Sequence, residues 1–543
     1  MTQKKGNGAG AGTDFDAIVV GAGVAGLYQL HRLREMGLKV QSIDAASDVG
    51  GTWYWNCYPG ARVDSQSYIY QYWFSDELVK EWNWSERFPG QPETERYLNF
   101  VADKLDLRKD IRFNTRVTGA EWDEAAARWT IRTDKGDTLT AQFFISCAGM
   151  LSAPKVPPFP GHEEFKGIIA HTARYPREGI DLKGKRVGVV GTGATGIQVI
   201  QTVAKEAGEL KVFQRTPQYA VPMRNPKYND ADRAAFKAKA HELENLVNHT
   251  FAGFDFDVLP ESWYDLSPEQ RRAKLEEIWA DGSLSFWVGS FPEVLTDEKV
   301  GEEVSEWVRE KIRARIDDPE LAEKLVPYHY SFGTYRVPLE NGFYDAFNQD
   351  NVELVEVKEN PIECFTETGL KLASGDEYEL DVVILATGFD AGTGALTRMD
   401  IHGRDGVSLT EEWGKDIRST LGLQVSGFPN LFTVAGPLAP STAFCNMTTC
   451  LQQQVDWVTD CIAYLRDKHA KSIEPTVEKQ DEWVEHHDEV ANATLLVRTN
   501  SWYTGANIEG KPRRLLSYIG GVGHYRQVCD DIKASGYQGF SIA

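Results

Sequence analysis

One pattern of apolar and polar positions occurs twice in this chain. The run Phe15 to Val20 is almost wholly apolar and predicts a buried strand. A glycine turn follows, Gly21-Ala22-Gly23-Val24-Ala25-Gly26. Helical spacing then places Leu27, Leu30 and Leu33 on one face between Val24 and Met36, and Gly37 ends the helix. Lys39 to Ile43 predicts a second strand. The same order returns as Arg186 to Val190, the turn Gly191-Thr192-Gly193-Ala194-Thr195-Gly196, a helix from about Ala194 to Ala207, and Lys211 to Gln214. A strand, a Gly-x-Gly-x-x-Gly turn and a helix form a cradle for a dinucleotide's phosphates. The units end differently. Asp44 stands 18 residues after Gly26, where an acid accepts hydrogen bonds from a ribose diol. Arg215 stands 19 residues after Gly196, where a cation suits a 2′-phosphate. Two dinucleotide sites in one chain point to electrons passing from one to the other.

Elsewhere the pattern is mixed. From about Pro226 to Pro327 the chain turns to charged, helix-forming stretches. Ser267-Pro268-Glu269 and Asp318-Pro319-Glu320 each offer a polar cap followed by proline in the first turn. This predicts a helical insertion whose charge is solvated surface. Strand character returns at Val352 to Val357 and Leu380 to Ala386, and helical spacing at Gln453 to Leu465. The fold class expected is α/β, with two Rossmann-like dinucleotide-binding domains and a helical insertion.

A length of 543 residues calls for two or three domains. The formal charge of −22 argues against nucleic acid or anionic membrane as partners, while leaving room for local positive pockets. No apolar run is long enough to span a bilayer, and the Gly-, Lys- and Ala-rich start, Met1 to Thr13, reads as a disordered tail and not an export signal. The seven cysteines show no Cys-x-x-Cys spacing. They predict free thiols in a reducing cytoplasm and remove both a flavin disulfide reductase and a structural zinc site. No metal is expected, and the adjacent His486 and His487 read as solvated helix surface.

Further motifs narrow the chemistry. Phe165-Lys166-Gly167, His171 and Tyr175-Pro176 lie between the two units. Gly50-Gly51-Thr52-Trp53, Tyr58-Pro59-Gly60 and Asp64 follow the first, and Gln214-Arg215-Thr216-Pro217, Ala386-Thr387-Gly388-Phe389-Asp390 and Ser501-Trp502-Tyr503-Thr504-Gly505-Ala506-Asn507 come later. In this order they resemble the Baeyer–Villiger monooxygenases over nearly the whole chain, nearest to the cycloalkanone and phenylacetone types. The resemblance implies FAD and NADPH as cofactors, with a ketone and dioxygen as small-molecule partners. Oxygen is inserted through a C4a-peroxyflavin to give an ester or lactone. It implies an FAD domain of residues 1–150 and 386–543, an NADP domain of 151–223 and 334–385, and an insertion of 224–333.

It also implies roles. Arg336, a permanent cation, would stabilise the anionic oxygen species, with Asp64 orienting it; a plain structural ion pair is the alternative. Gly21, Gly23, Gly26, Asp44, Gly51, Thr52, Trp53 and Asp64 would hold FAD. Gly191, Gly193, Thr195, Gly196, Arg215 and Thr216 would hold NADPH, with Arg336 and Trp502 near the nicotinamide. Met150, Phe444, Cys445 and Met447 would line the substrate pocket, or be plain core. Phe165, Gly167 and His171 would hold the linker between the nucleotide domains, His171 as a hydrogen-bonded residue without a proton-transfer role. The chain departs from the family at Tyr175, commonly Trp, at Tyr335, commonly Lys, and at Cys57, commonly Arg. The Tyr335 departure puts the margin of NADPH over NADH in question. The alternatives are an N- or S-hydroxylating flavin monooxygenase and, more distantly, a non-catalytic NADP-binding sensor.

Overall fold

The computed structural model describes residues 13–441 and 444–543. The expected tail therefore lies outside the described residues, except for Thr13.

The first repeat is the centre of an eight-stranded sheet. Phe15–Val20 pairs in parallel with Val40–Ile43 on one side and Thr138–Ser146 on the other. Ile111–Arg112 flanks Val40–Ile43, while Arg128–Thr133 and Val117–Asp123 continue the sheet antiparallel beyond Thr138–Ser146. Two strands from the far end of the chain complete it. Leu431–Thr433 pairs with Thr138–Ser146 and Asp400–His402 with Val117–Asp123. The helix Val24–Glu35 buries Leu27, Leu30 and Leu33 completely. Its other side docks on the long helix Met447–Lys468, where Gln29 Nε2 donates to Thr459 Oγ1 at 3.1 Å.

The second repeat centres a five-stranded parallel sheet. Its order is Val352–Glu356, Glu209–Gln214, Arg186–Val190, Val382–Leu385 and Ile168–His171. Fully buried Val187, Val189, Leu210, Val212, Val383 and Ile384 explain its continuous apolar runs, since both faces of such a sheet are covered. A three-stranded antiparallel sheet, Ile362–Phe365, Gly369–Leu372 and Glu377–Glu379, rises from its connections.

The expected boundaries shift at the ends. The first helix stops at Glu35, because Met36 is its cap and Gly37 takes a left-handed φ of 75°. The second spans Ala194–Val203 and stops short of Ala207. Asn351 Nδ2 donates to the Ala204 and Ala207 carbonyls at 3.1 and 3.0 Å, so a side chain far along the sequence holds the turn that follows the helix. Leu380 to Ala386 contributes only Val382–Leu385 to the sheet.

The stretch following Pro226 forms helices as expected. Ser267 and Gln270 make a reciprocal capping box on Pro268–Asp281, and Asp318 accepts from the Glu320 amide at 2.9 Å ahead of Pro319–Leu325. Within the stretch expected to hold the linker, Ile168–His171 forms an edge strand of the second sheet. Two expectations need correction. His487 is not solvated. It is 1% exposed on Val477–Asn492, because that face packs under Tyr518, while half-buried His486 Nε2 meets the Tyr518 hydroxyl at 2.9 Å. Cys445 and Cys450 are joined in a disulfide, so free thiols are not the rule throughout. The turn entering Met447–Lys468 brings their Cα atoms to 6.6 Å, within disulfide reach. Cys57, Cys147, Cys364, Cys461 and Cys529 are free.

Candidate active site

A cleft of about 1110 Å³ opens at the carboxyl ends of both central strands and is lined by both glycine turns. That is where open α/β sheets hold ligands. Among the described residues, seven Lys or Arg side chains line it and only Asp44 and Asp64 oppose them. A chain with a net charge of −22 has thus gathered cations at one place, which suits the phosphates of dinucleotides.

The two turns are built alike. Gly21 and Gly191 have φ of 110° and 106°, and a Cβ there would stand 2.4 Å from the Cys147 carbonyl oxygen and 2.6 Å from that of Ala386. Gly26 and Gly196, expected to touch cofactor, do not line the cleft. A Cβ on them would lie 1.9 and 2.1 Å from the carbonyl oxygens of Gly21 and Gly191, so they serve close helix–strand packing. Gly193 is open, with no atom within 4 Å of a Cβ. Neither following helix has a capping side chain or an acid in its first turn. Their first amides are free to meet phosphate oxygens. By these observations the residues fit a dinucleotide at each turn.

The strand-end residues differ. Asp44 is buried, and its oxygens accept from the amides of Ala22 at 2.6 Å and Ala46 at 2.7 Å. Burial pushes its pKa above the usual carboxylate range, against those hydrogen bonds and the nearby Arg116 and Arg174. Arg215 is exposed and has no carboxylate partner among the described residues, and Thr216 lies beside it in the lining.

Arg336 and Asp64 meet. Arg336 Nη2 donates to Asp64 Oδ2, and its Nη1 donates to the Val337 carbonyl at 3.0 Å. The guanidinium carbon lies 5.0 Å from the centre of the Trp287 ring, within cation–π range. Asp64 arrives on the loop after Gly60. Gln198, on the helix of the second repeat, accepts from the Tyr58 hydroxyl at 3.0 Å and donates to the Arg62 carbonyl at 3.1 Å. Gly51, Thr52 and Trp53 line the same end of the cleft, where Gly51 and Gly23 approach so closely that a Cβ on Gly51 would lie 2.7 Å from the Gly23 Cα.

A segment near the chain's end closes the other side. Trp502 lines the cleft in a short turn capped by Ser501. The Tyr335 hydroxyl donates to the Asn500 carbonyl at 2.9 Å, and Lys155 Nζ to that of Asn507 at 2.6 Å. His171 lies behind Lys155. Its Nδ1 accepts from the Ala173 amide at 3.1 Å, and its Nε2 is 3.2 Å from both the Lys155 carbonyl and Thr387 Oγ1. Burial lowers its pKa, so it is a neutral tie between chain segments. Tyr175 is buried, and its hydroxyl has no hydrogen-bond partner among the described residues. Cys57 Sγ donates to the Tyr175 carbonyl at 3.3 Å, and burial raises its pKa.

Met150, Phe444, Cys445 and Met447 all line the cleft, next to residues 442 and 443, which are outside those described. An equal share of the apolar wall was missed from sequence. Phe254, Leu284, Trp287 and Val288 come from the stretch read as solvated helices. Trp287 packs on Phe444 at 5.5 Å, and Phe444 on Tyr503 at 5.2 Å. The signal was present as Leu284-Ser285-Phe286-Trp287-Val288, an apolar run in charged surroundings. No group of His, Cys, Asp or Glu suited to a metal ion occurs among the described residues, and no described helix is long and apolar enough to cross a membrane.

Known proteins match this arrangement. A family model described as flavin-binding monooxygenase-like matches residues 16–224. The acetone monooxygenase (methyl acetate-forming) of Gordonia sp. (strain TY-5) is 58% identical, over 98% of this chain and 99% of its own. A Baeyer-Villiger monooxygenase of Pseudooceanicola batsensis is 43% identical over 97% and 96%. The crystal structure of OTEMO in complex with FAD and NADP superposes with a TM-score of 0.94 at 40% identity, covering 98% of this chain and all of that one.

Proposed function

We infer the function from one premise: the chain belongs to the Baeyer–Villiger monooxygenases, within the flavin-binding monooxygenase-like proteins. It is an FAD- and NADPH-dependent enzyme that uses dioxygen to convert a ketone into an ester or lactone. FAD, when bound, supplies the redox and oxygen chemistry. The rest is done by the chain's own side chains.

The observation that carries the site assignment is the Arg336–Asp64 pair in the cleft between the two glycine turns. A guanidinium stays protonated at any working pH and can hold a developing negative charge on oxygen. Asp64 and the Val337 carbonyl fix its plane, so little reorganisation is needed when that charge appears. Asp44 and the uncapped amides after Gly23 would hold the FAD adenosine and phosphates. Gly193, Thr195, Arg215 and Thr216 would hold NADPH. Trp502 would cover the nicotinamide and exclude water. The ketone's carbon skeleton would lie against Trp287, Phe444 and Met447, with its oxygen toward Arg336. The domain division expected above follows the two sheets in this reading. Membership of the second sheet is its support, since strands from 168–214 and 352–385 share it.

The test uses purified, FAD-loaded protein with NADPH, dioxygen and a panel of ketones. Acetone comes first, because the 58%-identical relative is named for it. Larger cyclic and aryl ketones follow. A product one oxygen atom heavier than its ketone supports the reading. NADPH consumed with hydrogen peroxide alone across the panel, and oxygenation only of amines, would overturn it.

A further inference from the structure

Among the described residues, the end of the second unit's strand contributes one cation without a carboxylate partner, Arg215. One guanidinium is a thin complement for a phosphate dianion. Tyr335, which lines the cleft with Arg215, is uncharged. Its ring lies 4.2 Å from that of Tyr330, and its hydroxyl is committed to the Asn500 carbonyl at 2.9 Å. Asn500 also lines the cleft, and its Oδ1 accepts from Arg513 Nη2 at 3.1 Å. Arg513 is exposed and has no carboxylate partner among the described residues, although acids outnumber bases in the chain by 80 to 58. Both Arg215 and Arg513 act on the Tyr335 hydroxyl, each opposing the rise in pKa that burial causes. Two guanidinium groups with no carboxylate partner among the described residues therefore act on one tyrosine, Arg215 from the cleft lining and Arg513 from just behind Asn500. A phosphate dianion held between them would be shared by both.

We propose that Arg513 is the second cation of the coenzyme's 2′-phosphate subsite, opposite Arg215, with Tyr335 and Asn500 as positioning residues. This rests on reading the second unit as the NADPH site. One side-chain hydrogen bond holds Arg513 behind Asn500, and its long stem lets the guanidinium turn onto a phosphate once that bond is exchanged. Arg513 lies eleven residues after Trp502 on the same segment. Gripping the phosphate from both sides would thus draw that segment toward the cleft. Lys155 is the competing cation, since it lines the cleft within the influence of Arg215. Its Nζ is already engaged by the Asn507 carbonyl.

The test compares binding of adenosine 2′,5′-bisphosphate and adenosine 5′-phosphate to FAD-loaded protein by titration calorimetry. The variants are Arg215→Gln, Arg513→Gln, Arg513→Lys and Lys155→Gln. NADPH-to-NADH ratios of kcat/KM are read on the same proteins. The unsubstituted protein is expected to favour the 2′-phosphorylated nucleotide. Arg513→Gln should reduce that preference about tenfold, and Arg513→Lys should restore most of it. A merely structural Arg513 would weaken both nucleotides alike. The proposal is overturned if Arg513→Gln keeps the preference within about twofold while Arg215→Gln or Lys155→Gln removes it. A protein with no preference for the 2′-phosphate would sink the NADPH reading itself, and this inference with it.

Discussion

The two glycine-turn units share strand, turn and helix, yet finish with opposite strategies. In the first, Asp44 is buried and its carboxylate is already fastened by two backbone amides. In the second, Arg215 stands exposed with no carboxylate partner among the described residues. The fixed acid is preorganised at the cost of burying a charge. The free arginine leaves its electrostatic energy unspent until an anion arrives. The contrast fits a flavin that stays bound and a coenzyme that exchanges at every turnover.

The largest expected effect comes where the units meet. Arg336→Met should cut ester or lactone formation by roughly 10² to 10³-fold, the range for losing a principal oxyanion stabiliser. Product analysis checks it, and unchanged product yield would return the pair to a structural role. Next come the buried glycines. Gly26→Ala and Gly196→Ala each force a methyl group onto a backbone carbonyl, a clash of about 1–3 kcal/mol or more. The expected losses differ. Gly26→Ala should purify with little flavin, whereas Gly196→Ala should keep flavin and lose NADPH binding. Absorbance spectra and coenzyme titration separate them, and flavin loss in both would erase the division between the units. Gly193→Ala sharpens the point. With open space around it, it should leave Tm unchanged and weaken NADPH alone.

Arg215→Gln should lower the NADPH-to-NADH ratio of kcat/KM about ten- to a hundredfold, the worth of one charge-assisted hydrogen bond. A ratio that does not move would show that Arg215 is an idle surface cation. The smallest effect concerns pH. Burial raises the Asp44 pKa, so between the ordinary carboxylate pKa and the raised one the folded, FAD-free protein holds a proton that the unfolded chain has lost. Stability is therefore fully present below the ordinary carboxylate pKa and falls as pH rises through the raised one. Asp44→Asn should flatten that part of the Tm-against-pH curve. Parallel curves for the two proteins would mean that Asp44 is not desolvated.

Both units were legible in sequence because everything that defines them is local. Glycine spacing, strand runs and the residue at the strand end all fall within 30 residues or so of one another. What was missed depended on distant partners. The helix Ala194–Val203 gives way to a turn that Asn351, far along the chain, holds through the Ala204 and Ala207 carbonyls. His487 is buried because Tyr518, from another segment, covers it. The apolar wall of the cleft draws Trp287 and Leu284 from a stretch whose charge suggested only surface. Arg336 and Asp64, 272 residues apart, could be joined only through resemblance to a family. The Cys445–Cys450 pair escaped notice because its spacing matches no redox motif.

Gln198 gives the two units a common reference. It sits on the helix of the second unit, and its amide grips both sides of the loop that delivers Asp64 in the first. Gly60 lets that loop lie flat on the same helix, since a Cβ there would fall 2.3 Å from the Gln198 carbonyl oxygen. One amide and one missing methyl group thereby share in setting the separation between the two nucleotide seats, together with the Arg336–Asp64 pair and the Cys57–Tyr175 contact. A hydride donor and acceptor tolerate little error in distance or angle. A joint a few ångströms wide, Gln198 against the Gly60 loop, thus takes part in aligning the two units.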